Sequence, residues 1–249
     1  MGKQAAADGR PAISAVTFDV GETLLCPSPG VGHVYAEVFA EHGIEADPQS
    51  VEKVFRNAWK KVLRETGGPT DETREIDRWR GVVAATLAEF GEVRDFDRLF
   101  EELWRTFAEP RRWRVREYAR DVLSDLRARR LRLAVLSNWD SRLRPLLGGL
   151  GLARYFDAFF ISAEVGWEKP NPRIFRAAEE QLGLPPSAFL HVGDSPCSDA
   201  APARSAGWRT VLIGDGARIP EGSGPVIADL RELFLWLPAS GTAPGCEPR

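Results

Sequence analysis

Between residues 117 and 214 the chain alternates, four times over, a stretch with helical spacing and a short apolar run. The pairs are 117–130 with "LRLAVLS", 141–150 with "FDAFFIS", 171–182 with "AFLHVGD" and 199–206 with "RTVLIG". Strands alternating with helices of this length imply a parallel sheet with helices on both faces. The apolar run that ends at Asp19 reads as one more strand and has no partner before residue 117, so it is expected to join the same sheet. What lies between is then an insertion. Its spacing is helical: Val51, Val54, Phe55, Ala58, Trp59, Val62 and Leu63 form one apolar stripe, and Trp79, Val82, Val83, Thr86, Leu87 and Phe90 repeat it. "TGGPTDE" breaks the middle, with Thr70 as the expected N-cap and acids in the first turn after it. The expected architecture is an α/β core from residues 12–30 and 110–237, a bundle of about four helices over 31–109, and loose tails at 1–11 and 238–249.

Composition narrows the function classes. At 249 residues, 43% hydrophobic and 28% charged, the chain can bury a sizeable core, and a net charge of −3 gives no general attraction to nucleic acid or anionic membrane. Cys26, Cys197 and Cys246 are widely separated and odd in number, which supports neither a disulfide framework nor a zinc knuckle. The N-terminal dozen residues have no apolar segment of signal-peptide type, and position 6 is Ala, outside the myristoylation pattern. No apolar run is long enough to span a bilayer. A cytoplasmic protein acting on a small molecule is expected, with neither nucleic acid nor membrane as partner.

In an open parallel sheet, ligands sit outside the carboxyl ends of the strands. That rule selects Asp19, the Ser137-Asn138 pair, Lys169 in "EKPNP", and Asp194 with Asp199 five residues on. These groups suit phosphoryl transfer. Asp19 would attack phosphorus and form an aspartyl phosphate. Ser137 and Asn138 would hold phosphoryl oxygens, and Lys169 would offset negative charge on nucleophile and substrate. Asp19, Asp194 and Asp199 make an oxygen-rich set suited to Mg²⁺, and without a cation three clustered carboxylates would repel a phosphate dianion.

The segments "FDVGETL", "LSNWD", "EKPNPRIF" and "HVGDSPCSDAAPARSAGW" resemble the four motifs of the haloacid dehalogenase-like hydrolase superfamily, in order and in spacing. The resemblance covers nearly all of residues 12–237 and is closest to the phosphatase-like members with a helical cap inserted after the first motif. It implies a Rossmann-like core, Asp19 as nucleophile, Ser137 as the phosphate-binding hydroxyl, Lys169 as the loop lysine, and Asp194 and Asp199 as metal-motif acids. It also implies a backbone carbonyl at position 21 directed to Mg²⁺. The chain departs from the pattern at Gly21, where phosphatases of the family carry the Asp that protonates the leaving oxygen and then activates water. A positioned acid or base contributes about 10²–10⁴-fold, so weakened turnover is expected, least for acyl, aryl or anhydride leaving groups. Glu22 is the candidate substitute. A dehalogenase of 2-haloacids and a non-catalytic binder are the other readings, and the acid pair at 194 and 199 counts against the first of them. A Schiff-base role for Lys53, Lys60 or Lys61 is disfavoured by their surface spacing.

Other features carry blander readings. His191 lies within an apolar run and reads as a core histidine, and Cys197 as incidental to a site for a hard cation. Trp139 and Trp167 flank two of the loops and are candidates for the substrate entrance. "RRWRVR" (111–116) reads as a solvated hinge, and an opening motion is expected about residues 26–32 and 110–116. "GDGARIPEGSG" (214–224) reads as turns.

Overall fold

The computed structural model describes residues 12–62 and 66–237. The expected tails, Leu63 and Cys246 lie outside the described residues. A six-stranded parallel sheet is built from β1 (Ala15–Phe18), β4 (Arg132–Ser137), β5 (Ala158–Ile161), β6 (Phe189–Gly193), β7 (Arg209–Ile213) and β8 (Val226–Ile227), in the order β5-β4-β1-β6-β7-β8. The N-terminal strand therefore sits in the middle, with Phe18 opposite Val135 on one side and Val192 on the other. After β1 the sheet grows to one side through β4 and β5 and then, past β1, to the other through β6, β7 and β8, which makes the crevice beyond Phe18 the switch point of the sheet.

Strand residues alternate between the two faces. Val16, Phe18, Leu133 and Val135 pack beneath α5 (Ala119–Ala128) and α6 (Leu143–Gly149). Ala15, Ala134 and Leu136 pack against α8 (Pro172–Leu182) and α9 (Ala201–Ser205) on the other face, where Trp208 stacks on Phe189 at 4.1 Å between ring centres. Both faces are covered, as continuous apolar strands require.

Between β2 (Leu25–Pro27) and β3 (Trp113–Val115) run α1 (Val31–Glu41), α2 (Pro48–Val62), α3 (Glu72–Leu87) and α4 (Phe96–Thr106), which share a separate apolar core containing Val34, Phe39, Val51, Leu99 and Leu103. Gly32 lets α1 and α2 meet closely, since a Cβ there would lie 2.2 Å from the Pro48 carbonyl. The cap of α3 is Asp71, accepting from the Arg74 amide at 2.9 Å, not Thr70 as expected. Thr70 is buried instead, and its hydroxyl donates to Glu75 at 2.7 Å. The short α7 (Ser162–Val165) follows β5.

Three features depart from the sequence expectation. The two segments read as hinges pair with each other: β2 and β3 form an antiparallel ribbon, Leu25 opposite Val115. Beyond the stretch 214–224, which forms turns as expected, lies an edge strand that the sequence did not show, β8, too short to carry a period. The helix expected over 199–206 is a π-helical turn, Pro196–Ala200, followed by α9. Among the described residues no helix is long and apolar enough to cross a membrane.

Candidate active site

Each of the sequence-predicted groups reaches the switch point. Asp19 follows β1 directly and its amide donates to the Val192 carbonyl at 2.8 Å, so strand pairing fixes it beside β6. Its Oδ1 accepts from the Ser137 hydroxyl at 2.9 Å and from Lys169 Nζ at 2.7 Å, while Oδ2 accepts from no described residue. Lys169, 2% exposed, also donates to Asp199 Oδ1 at 2.5 Å. Asn138 holds the lysine loop in place: its Nδ2 donates to the Lys169 carbonyl at 2.9 Å and its Oδ1 accepts from the Lys169 amide at 2.7 Å. Both ends of that amide are thus committed to the backbone.

Asp199 lies beneath the loop after β6. A Cβ at Gly193 would fall 2.2 Å from the Asp199 carboxyl carbon, so only glycine permits this approach. Asp199 Oδ2 accepts from the Ser195 amide at 2.9 Å, and Oδ1 is shared between Lys169 and His191 Nε2, the latter at 3.1 Å. His191, fully buried, reaches Thr17 Oγ1 through its other nitrogen at 2.8 Å. It is a core histidine, and one that orients a site carboxylate; Asp199 eight residues on gave no sequence signal for that contact.

Asp19, Asp194 and Asp199 each offer an oxygen within 4.8 Å of the others. Three carboxylates here face one ammonium. Burial, then the charge of Asp199, raises Asp19 above the ordinary range against the pull of Lys169 and Ser137. Burial together with Asp19 and Asp199 pushes Asp194 up to about 8. Asp199 goes the other way: burial opposes its ionisation, but Lys169 and His191 hold it below the usual range. Lys169 is held above its usual range, desolvation being outweighed by the two acids. Asp194 accepts no hydrogen bond from the described residues, so its charge is the one left without compensation. An all-oxygen set with one uncompensated acid fits a hard divalent cation such as Mg²⁺.

Gly21 lines the site in ordinary backbone geometry, and a Cβ there would meet a Trp139 ring carbon at 3.6 Å, a normal contact. Glu22, with φ 53°, is exposed and also lines the cavity. Lys53, Lys60 and Lys61 are exposed on α2, outside the cavity lining. Cys197 is exposed. Trp139 lines the cavity, whereas Trp167 lies under the Arg173 guanidinium at 4.0 Å and is not part of the lining.

Sequence reasoning missed two features. One is a buried ion network that joins α3 to the residue before the site lysine. Arg78 donates to both oxygens of Glu168, at 2.7 and 3.0 Å, and to Glu75 at 2.8 Å, and the Gly67 amide also donates to Glu168. The other is the character of the cavity over Asp19. Its volume is about 470 Å³, and its lining includes Tyr35, Trp59, Trp79 and Phe107 of the helical segment together with Trp113 and Trp139.

An aspartate at the end of the central strand of a doubly covered parallel sheet, with a lysine and two more acids from the loops after later strands, is an arrangement suited to a hydrolase with a carboxylate nucleophile. The haloacid dehalogenase-like hydrolase family model matches residues 13–207, and the chain belongs to that family. It is 34% identical over 247 residues to human haloacid dehalogenase-like hydrolase domain-containing protein 3, covering 95% of this chain and 97% of that one. It is 38% identical over 188 residues to a phosphoserine phosphatase of Thermus thermophilus, covering 74% of this chain and 64% of that enzyme. Among solved structures, a magnesium-bound hydrolase of the family from Bacillus subtilis superposes with a TM-score of 0.77 at 21% identity, covering 92% of this chain and all of that one.

Proposed function

We propose that the chain is a Mg²⁺-dependent phosphohydrolase that acts on a small phosphorylated molecule through an aspartyl phosphate at Asp19. The observation that carries this reading is the meeting of Asp19, Asp194 and Asp199 around Lys169 at the switch point, with one oxygen of Asp19 free. Asp19 Oδ2 attacks phosphorus while Ser137 and Lys169 hold Oδ1 and so aim the carboxylate. Lys169 stabilises the charge that gathers on the phosphoryl oxygens. Asn138 acts by fixing the lysine loop. Mg²⁺, held by Asp19, Asp194 and the Gly21 carbonyl with Asp199 behind them, would neutralise phosphoryl charge and lower the barrier to approach of two anions.

The helices of residues 31–109 serve as a cap that keeps water from the cavity, tied to the core by Arg78 and Glu168. Gly21 leaves the leaving oxygen without a positioned acid, so turnover of alkyl esters is slow. The test is phosphate release from a panel of esters and anhydrides with Mg²⁺ or with chelator. Release that needs Mg²⁺ and disappears in Asp19→Asn is expected. Halide release from 2-haloacids that survives chelation would replace this reading with a dehalogenase.

A further inference from the structure

The cavity on Asp19 is built for a flat apolar group. Trp59 and Trp79 stack at 4.9 Å between ring centres and 14° between planes, and Trp113 meets Trp139 at 5.2 Å. The Trp139 ring stands beside Gly21, in contact range of the place a side chain there would take. Tyr35, 1% exposed, adds a hydroxyl with no hydrogen-bond partner among the described residues, and its burial keeps that hydroxyl un-ionised.

The charges that line the cavity are already used. Arg78 is paired with Glu75 and Glu168, Lys169 with Asp19 and Asp199. Arg142 gives Nε and Nη2 to Asp140 and Nη1 to the Trp104 carbonyl. Among the described residues, then, the lining offers no unpaired arginine or lysine to a carboxylate or second phosphate. A second anionic group on the substrate would have to draw Arg78 or Arg142 away from carboxylates that are themselves buried, and leaving those acids unpaired is costly.

We infer that the substrate is an aryl phosphate, a monoester whose phosphate is attached directly to an aromatic ring and which bears no second anionic group. This rests on the phosphohydrolase reading of Asp19 and specifies its leaving group. The wall of rings and the glycine at 21 point the same way. As the bond from Asp19 Oδ2 to phosphorus forms, the ester P–O bond breaks and its electron pair leaves on the phenolate oxygen. A phenol has a pKa of ~10, whereas an alkoxide is the base of an acid nearer water's ~16. The phenolate therefore departs without the proton that Gly21 cannot donate. Water then attacks phosphorus and the Asp19 carboxylate leaves. One water proton passes to the phenolate still held between the rings, so the products are a phenol and hydrogen phosphate.

The test has two arms on the full chain with Mg²⁺. In the first, kcat/KM is measured for phenyl phosphate, glycerol phosphate and phosphoserine, and phenyl phosphate is expected to exceed both by about 100-fold or more. In the second, binding of phenylphosphonate and methylphosphonate, which cannot be hydrolysed as esters, is measured by calorimetry. Phenylphosphonate is expected to bind at least about tenfold tighter, and Trp79→Leu to erase most of that difference while leaving methylphosphonate unchanged. Trp139→Leu, on a different element, gives the same readout if Trp79→Leu does not fold. Alkyl and aryl esters cleaved within about threefold of each other, or equal binding of the two phosphonates, would overturn the aryl assignment and leave the phosphohydrolase standing. No hydrolysis of any phosphate compound would overturn both.

Discussion

At position 21 the chain has a hydrogen where, in the phosphohydrolase proposed, a carboxyl group would decide which esters can be cleaved. The site is otherwise ready to take one, because the backbone is ordinary there and the nearest atom to a new Cβ is 3.6 Å away. Gly21→Asp should therefore fold and raise kcat for alkyl phosphates by about 10²-fold, at the low end of what a positioned acid contributes. It should change phenyl phosphate by less than about fivefold, since that leaving group needs no proton. Kinetics on the ester pair read this directly; an equal gain for both would mean that Gly21 limits something other than leaving-group departure. Asp19, Ser137 and Asp194 could be located from sequence because a polar group ending an apolar run is a strong signal, and Lys169 and Asp199 because each lies in the loop that follows such a run. The roles of Asn138 and His191 could not, because both act through contacts with residues distant in sequence, Asn138 on the Lys169 backbone and His191 on Thr17 as well as Asp199.

Helix α3 is bound to the loop that carries Lys169 by charges with little access to water, Glu168 being 1% and Glu75 4% exposed. Arg78→Ala leaves both acids without their shared cation. A loss of about 2–4 kcal/mol in unfolding free energy is expected, on the low side for a broken buried pair because Arg78 keeps some solvent contact. Denaturant titration checks it, and a change under 1 kcal/mol would mean the network relaxes into water. Glu75 also gives a pH signature. Burial, outweighing its Thr70 and Arg78 contacts, raises its folded pKa above the unfolded value of 4.5. Stability from this group is thus complete below about pH 4.5 and declines as the pH rises through the folded value. Glu75→Gln, which mimics the protonated form, should gain on wild type as pH increases from 4.5 to 8. Melting temperatures across that range show it, and a constant difference would contradict the account. Helical spacing revealed the bundle elements, because the period of an apolar stripe is local. The ribbon of β2 with β3 was hidden, because two strands of three residues carry no period and pair across the whole insertion.

For the molecule as a whole, the sheet and the helices of residues 31–109 matter to function because they enclose one chamber with a charged floor and aromatic walls. The sheet order followed from alternation alone as far as its parallel character, but the position of β1 at the centre required the pairing on both its sides. The aromatic chamber was unreadable for the same reason: a tryptophan on a helical stripe shows only that one side is buried, not which of its neighbours face a cavity. Mg²⁺ should stabilise the intact protein by mass action, about 2.7 kcal/mol at a hundredfold excess over its Kd, and Asp194→Asn should remove most of that shift in melting temperature. The most direct measurement is a rapid acid quench of the protein mixed with phenyl phosphate and Mg²⁺, followed by mass analysis of the peptide containing Asp19. The account predicts a burst of phenol ahead of inorganic phosphate and a phosphoryl group on Asp19, removable by hydroxylamine. Phenol and phosphate released together from the first turnover, with Asp19 unmodified throughout, contradict it.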